Sequence, residues 1–567
     1  MSDGLVRTIG TQAARWRTVA PQRTVLVVVH NVTAMTRLLD VLALFEGDFR
    51  VQLSYTWNGS DPFPDGLHRM LADRGIPLVP WNQALLTRFD LAIAANLGGL
   101  VEVEAPILSI PHGIRYTKVL PRRPETGDRR PETRDGRRAF GLDPQWVLYE
   151  GRPIASALVL SHEQQRIQLA EAVPEAAGSA VVAGDACYDR LRASLPWRPA
   201  YRRALGADGR TLLVVSSTWW TESVLGRAPQ LFAELLAEFP ADEFRIAAIL
   251  HPNIWYGHGS SEVHRMLAPH ERSGLVVVPP EFGWRAALIA ADYVLGDHGS
   301  VTTYGAALGK PTLLAAFPES EVAPGSIVDM VGRTAPRLSG GEPVRPRLDD
   351  AARTAGKFGA INELVTSCPD EAADRLRRLC YEMLRLPEPA TEPPVPPDDL
   401  TGLPARPWSW RPTAAYAQAE VLADGSLRVR RFAAEMLRAG ESPADSHLVV
   451  TANHPGRRLR GIADVVVLTE DWPDVEQCLA EALAGRPGAR VAAAVAGDSC
   501  LVRTSTGETV RITAARPGSC DPACFASAVH GWLAAGNRLG ELAQQTAVNG
   551  VPVTVSYVVA DRYRNGT

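Results

Sequence analysis

Residues 291–317, ADYVLGDHGSVTTYGAALGKPTLLAAF, leave the chain little choice of local structure. Tyr293–Leu295 is a short apolar strand, and it ends in Gly-Asp-His-Gly-Ser. An amphipathic helix follows at once. Gly309, Lys310 and Pro311 stop it, and a second apolar run opens at Thr312. The segment therefore reads strand, small-residue turn, helix, strand. A helix that begins in Gly299 and Ser300 points free backbone N–H groups and a positive dipole end above the sheet. Such an end is a ready site for phosphate.

The same alternation runs through most of the chain. VLVVVHN from Val25 is a near-continuous apolar run, as expected of a parallel strand covered on both faces. A helix pattern follows from Thr33 to Phe45. FRVQLSYTW, IPLVPW, FDLAIAAN and APILSIPHG read as further strands. SALVLSHEQQRIQLAEAV and SAVVAGDACYDRL continue the pattern. A second set, TLLVVSST, FRIAAILHP, GLVVVPPE, DYVLGDHG and PTLLAAF, begins near Thr211. The pattern predicts two consecutive Rossmann-like domains at 23–200 and 201–385, after an N-terminal extension at 1–22. A proline-rich, semi-rigid linker is expected at 386–412. Residues 413–567 mix strand runs with helices at 474–484 and 522–546, and CLVRTSTGETVRI reads as a hairpin. That part is expected to be a smaller α/β or α+β domain without a chemical motif.

Composition removes several classes of function. Net charge is −4 over 567 residues, which gives no support for broad nucleic-acid binding. Seven scattered cysteines form no zinc set, so no metal is expected, and the odd count fits a reducing cytoplasm. No run approaches the ~20 apolar residues of a membrane span. The expected location is the cytoplasm, with peripheral contact at the cytoplasmic face of a membrane left open. The tandem heptads RRPETGD and RRPETRD at 122–135 break the domain pattern, and 121–138 reads as a solvated charged loop.

Ligands of doubly wound sheets sit beyond the carboxyl ends of the strands. His30, Asn31, Asn96, His112, Ser216, Ser217, Thr218, His251, Asp297 and His298 all follow apolar runs. Two such sheets facing a cleft would gather them, in the GT-B architecture of nucleotide-dependent transferases. Strand ends are also polar simply because loops are exposed. Taken alone, His112 is either a surface loop residue or a base suited to neutral pH.

The order of these pieces resembles the CDP-glycerol glycerophosphotransferase family, the polymerases and primases of wall teichoic acid. The matching segments are PHGIRYTK (His112 to Lys118), GDACYD (Gly184 to Asp189), SSTWW (Ser216 to Trp220), His251-Pro252, and DHGS (Asp297 to Ser300) with Lys310-Pro311. The resemblance implies that His112 takes a proton from an acceptor hydroxyl and that His251 meets the donor phosphates. It implies a donor site at Thr218, Asp297, His298, Gly299, Ser300 and Thr302. The partners would be a nucleotide-activated donor (CDP-glycerol or a nucleotide sugar) and a hydroxyl acceptor, with no other cofactor. A sugar-nucleotide epimerase and a non-catalytic GT-B-shaped scaffold are the alternatives.

Overall fold

The computed structural model describes residues 9, 13–119, 139–398, 410–438, 440–469, 472–544 and 547–558. The charged heptads lie outside the described residues. Apolar runs form the expected strands in the first sheet: β1 (Arg23–Val29), β2 (Val51–Trp57), β3 (Leu78–Val79), β4 (Leu91–Ala94), β5 (Ile107–Ser109), β6 (Ala157–Leu160) and β7 (Ala180–Val182). All pairings are parallel, in the order β3-β2-β1-β4-β5-β6-β7. Helix α1 (Val32–Leu42) follows β1, capped by Asn31 through the Ala34 N–H at 2.8 Å. Helix α2 (Ala186–Ala193) follows β7 and is capped by Asp185. The expected strand IPLVPW shrinks to two residues, and Trp81–Leu85 is helical instead. Pro77 and Pro80 have no N–H to give a ladder, so pairing stops at both.

The second sheet holds β8 (Thr211–Ser217), β9 (Phe244–Leu250), β10 (Val276–Val278), β11 (Tyr293–Gly296) and β12 (Thr312–Leu314). Its order is β10-β9-β8-β11-β12, again all parallel. Between them run α3 (Pro252–His258), α4 (Trp284–Ala290) and α5 (Ser300–Ala307). Both sheets are mixed α/β layers, and in each the strand order reverses beside the first strand. The reversal puts a crevice between β1 and β4, and another between β8 and β11.

The described part of the expected semi-rigid linker, up to Asp398, is held against the first two units. Asp398 accepts from Arg285 at 3.3 Å and lies 3.6 Å from Arg190, and the Asp398 carbonyl accepts from the Tyr201 hydroxyl at 3.0 Å. Extended proline-rich chain leaves its carbonyls free, and neighbouring arginines and tyrosines take them.

The strands between Ala414 and Tyr557 form a closed nine-stranded barrel. Its strands are β13 (Ala414–Val421), β14 (Leu427–Ala433), β15 (Ser446–Thr451), β16 (Val465–Leu468), β17 (Val491–Ala496), β18 (Ser499–Thr504), β19 (Thr509–Ala514), β20 (Ala547–Val548) and β21 (Val551–Tyr557). The hairpin read from CLVRTSTGETVRI is β18–β19, with Gly507 at φ +92° in its turn. Closure depends on β14 meeting β20, a pairing of Leu427 with Val548. The expected helix at 522–546 ends at Ala534, where α6 (Cys524–Ala534) stops before Gly536 at φ +84°. A 3₁₀ turn at Leu539–Gln544 follows. Phe525, Ala528 and Val529 of α6 join inward strand residues such as Val429, Val491 and Val510 in one core. A side chain at Gly531 would stand 2.4 Å from the Ala419 Cβ, so glycine lets the helix reach β13. A buried ion pair at 2.6 Å, Arg431 to Asp242, joins the barrel to the second sheet. No helix among the described residues is long and apolar enough to cross a membrane.

Candidate functional site

The crevice between β8 and β11 is held by one carboxylate. Asp297 is 1% exposed. Its Oδ2 accepts from the Thr218 N–H at 2.8 Å, the Thr218 hydroxyl at 3.0 Å and the Val224 N–H at 3.1 Å. Its Oδ1 accepts from the Gly299 N–H at 3.0 Å. Burial pushes its pKa up in spite of these donors. The two strand-end loops are thereby tied to each other. A Cβ on Gly299 would lie 2.5 Å from the Thr218 Cγ2, so only glycine allows this approach. Helix α5 begins there with no side-chain cap, and its first-turn N–H groups stand beside the cavity that Gly299 and Ser300 line.

His251 follows β9 and caps α3. Its Nδ1 accepts from the Asn253 N–H at 3.1 Å, which assigns the proton of the neutral ring to Nε2. Burial lowers its pKa to about 3, helped by the Lys118 charge and by His112. The ring stacks on Trp219 with centroids 6.3 Å apart.

The first sheet supplies the facing wall. The chain leaves β5 through Pro111, His112 and Gly113, and a Cβ on Gly113 would stand 3.0 Å from the Ser300 Oγ. The loop therefore touches the start of α5. The His112 ring is exposed to solvent at the cavity, deep between the walls of the cleft. Its pKa falls to about 4, through burial first and then the charges of Arg115, Lys118 and Arg37. The Ala95 backbone acts weakly in the opposite direction. A neutral imidazole keeps one ring nitrogen as an acceptor. Beyond His112 the chain pairs across to the second unit. Val119 N–H donates to the Glu321 carbonyl and Ala323 N–H to the Thr117 carbonyl, both at 2.9 Å.

These elements enclose a cavity of about 230 Å³. His112, Thr218, His251, Gly299 and Ser300 of the expected site line it. Asp297, His298 and Thr302 do not. Asp297 spends its oxygens on the loops. Thr302 is fully buried against Gly296, where an added Cβ would meet its hydroxyl at 2.1 Å. His298 is 4% exposed with its Nε2 3.7 Å from the Glu321 carboxylate. Burial lowers its pKa to about 3.

Three cations on the wall were not among the expected site residues: Arg37, Arg115 and Lys118. Arg115 and Lys118 belong to the PHGIRYTK segment, so their charge was visible beside His112. Arg37 carried no such signal. It sits on α1, and its guanidinium lies 5.0 Å from the Trp284 ring centroid and 5.7 Å from that of Tyr304. It contacts the Cys187 sulfur, and its Nε has no hydrogen-bond partner. Its neighbours Arg190 and Arg285 take Asp40, at 2.8 and 2.6 Å. Among the described residues no carboxylate lies within 4 Å of Arg37, and none lines the cavity. Burial pulls Arg115 and Lys118 below their usual pKa ranges. A carboxylate-free wall with three cations, a helix N-terminus and two neutral histidines is built for a multiply charged anion. No group of three or more His, Cys, Asp or Glu among the described residues stands close enough to hold a metal ion.

No known protein family matches the chain, and no curated protein matches its sequence. Among solved structures it is similar to a variant of the wall teichoic acid polymerase TagF soaked with CDPG. The identity is 12% and the TM-score 0.44, over 65% of this chain and 89% of that one. It is also similar to the UDP-GlcNAc 2-epimerase from Neisseria meningitidis, at 14% identity and TM-score 0.37. That match covers 64% of this chain and 99% of the other.

Proposed function

We propose that this chain is a GT-B-type transferase that moves a glycerophosphoryl or glycosyl group from a nucleotide diphosphate donor to a hydroxyl acceptor. One observation carries the reading: the cationic, carboxylate-free cavity at the β8/β11 crevice, faced by a histidine held neutral. The diphosphate lies against the first turn of α5, with Lys118 and Arg115 meeting its charge. The acceptor hydroxyl gives its proton to the free nitrogen of His112. Its oxygen bonds to the electrophilic phosphorus or anomeric carbon of the donor, and the bond from that atom to the leaving phosphate oxygen breaks. Negative charge grows on the leaving oxygen, where the Nε2–H of His251 and the α5 N–H groups stabilise it. Epimerisation would need carboxylates at the sugar to carry protons, and the wall offers none among the described residues.

The test is a thermal-shift panel of CDP-glycerol, CDP-ribitol, UDP-sugars and GDP-sugars. A donor at 100 times its Kd adds about 2.7 kcal/mol of stability. A melting temperature unmoved by every member of the panel removes the donor reading.

Arg37→Met separates binding from folding. Inorganic pyrophosphate should bind roughly 10- to 100-fold more weakly, as expected for losing charged hydrogen bonds of ~1.5–3 kcal/mol. The unliganded protein should lose only a little stability, because the substitution breaks no ion pair and Met keeps apolar contact with Trp284 and Tyr304 in place of the cation–π contacts. Calorimetric titration and a melting curve check the two halves. Unchanged pyrophosphate affinity would take Arg37 out of the site.

A further inference from the structure

The turn after β8 carries a second feature that phosphate binding does not use. Trp220 has φ +82°, a left-handed backbone that a bulky residue adopts only at a cost. The strain is held in place. The Trp220 carbonyl accepts from the Ser223 N–H at 3.2 Å and from the Ser223 hydroxyl at 2.7 Å. Asp297 grips the turn at both ends, through Thr218 and Val224. The outcome is an indole kept 45% exposed, packed against Trp219 with centroids 3.8 Å apart and the rings tilted by 31°. Trp219 in turn stacks on His251, which lines the cavity. Three rings thus run in a row from the cavity wall to the surface. A strained, pinned aromatic that keeps 45% of its surface exposed beside a cavity has a π-face to offer a ligand.

Size decides what it binds. The cavity, at about 230 Å³, is smaller than the ~300–1,000 Å³ of pockets that enclose a drug-sized ligand. A nucleotide-activated donor is at least that large. With its diphosphate against α5, part of it must lie outside the cavity, and its planar base is the part with a π-face to offer. We infer that the Trp219–Trp220 pair is the stacking platform for the nucleobase of the donor, an inference that rests on the nucleotide diphosphate reading above. Stacking is tolerant of base identity because every base has a π-face.

The experiment compares wild-type protein with Trp220→Ala and Trp220→Phe. The probes are CDP, UDP, GDP and inorganic pyrophosphate, followed by tryptophan fluorescence and calorimetric titration. The expected result is that Trp220→Ala weakens the nucleoside diphosphates about tenfold or more, the loss expected for one base–aromatic stack. Pyrophosphate, which has no base, should change by less than about twofold, and Trp220→Phe should restore most of the lost affinity. Wild-type fluorescence should be quenched by the nucleotides and not by pyrophosphate. Equal weakening of nucleotides and pyrophosphate would mean that Trp220 only supports the fold of the turn. Nucleotide affinity unchanged in Trp220→Ala would overturn the platform and leave the donor reading standing. Pyrophosphate binding without nucleotide binding in the wild type would overturn both.

Discussion

Replacing His112 by Ala should lower the rate of group transfer by ~10²–10⁴, the usual loss of a positioned acid–base group. The donor-induced rise in melting temperature should survive, since the diphosphate rests on α5, Lys118 and Arg115 rather than on this ring. A variant that keeps more than about a tenth of wild-type turnover would show that the proton goes elsewhere. The same histidine sets a pH dependence. Its pKa is depressed to about 4, so the ring is neutral and able to accept a proton at any pH above that. As pH falls through about 4 the ring becomes charged and activity is lost. The acid limb of kcat/KM should therefore lie near 4, well below the ~6.5 of an unperturbed histidine. An acid limb near 6.5 would mean that water at the exposed ring screens the charges of Arg115, Lys118 and Arg37.

Asp297→Ala should be the most damaging change to stability. It leaves the N–H groups of Thr218, Val224 and Gly299 without their acceptor. Each unsatisfied buried donor costs ~1–3 kcal/mol, and removing a buried carboxylate offsets part of the sum. The expected loss is ~3–5 kcal/mol by denaturant unfolding. Donor binding should disappear with it, because the Gly299 turn and the Trp220 turn lose their common anchor. A loss under about 1 kcal/mol would mean that the loops hold their shape without the carboxylate. Asp297 is thus a positioning residue. Its place in the strand-end pattern marked the right location and the wrong contact.

The strands and helices of both parallel sheets were legible because each is a local pattern. VLVVV, TLLVV and YVLG are short apolar runs bounded by polar or small residues, and such runs have few other fates. His112, His251 and Gly299 come to line the cavity for a related reason, since each stands at the carboxyl end of a strand in a doubly wound sheet. Errors came where the outcome depended on partners distant in sequence. Thr302 looked like a ligand residue two positions past Ser300, yet the rotation of a helix turns it onto Gly296. The proline-rich stretch reads as a semi-rigid linker, and the letters do not show that Arg190, Arg285 and Tyr201 hold it at Asp398.

Taken by itself, the sequence determined the alternation of elements, the glycine that lets α5 start against Thr218, and the cations beside His112. Period and local sterics act over a few residues, so a sequence carries them openly. Only the tertiary structure decided the rest. Barrel closure needs Leu427 to find Val548 across the chain. Arg37 reads as a charge on an amphipathic helix until α1 lays it beside Trp284 and Tyr304, with Asp40 taken by Arg190 and Arg285 and Asp185 taken by Tyr304. The strain at Trp220 is invisible in the letters, because a left-handed backbone there is enforced by hydrogen bonds from Ser223 and to Asp297. Long-range packing chooses among conformations that local rules leave open, and here it chose where the charge and the exposed aromatic stand.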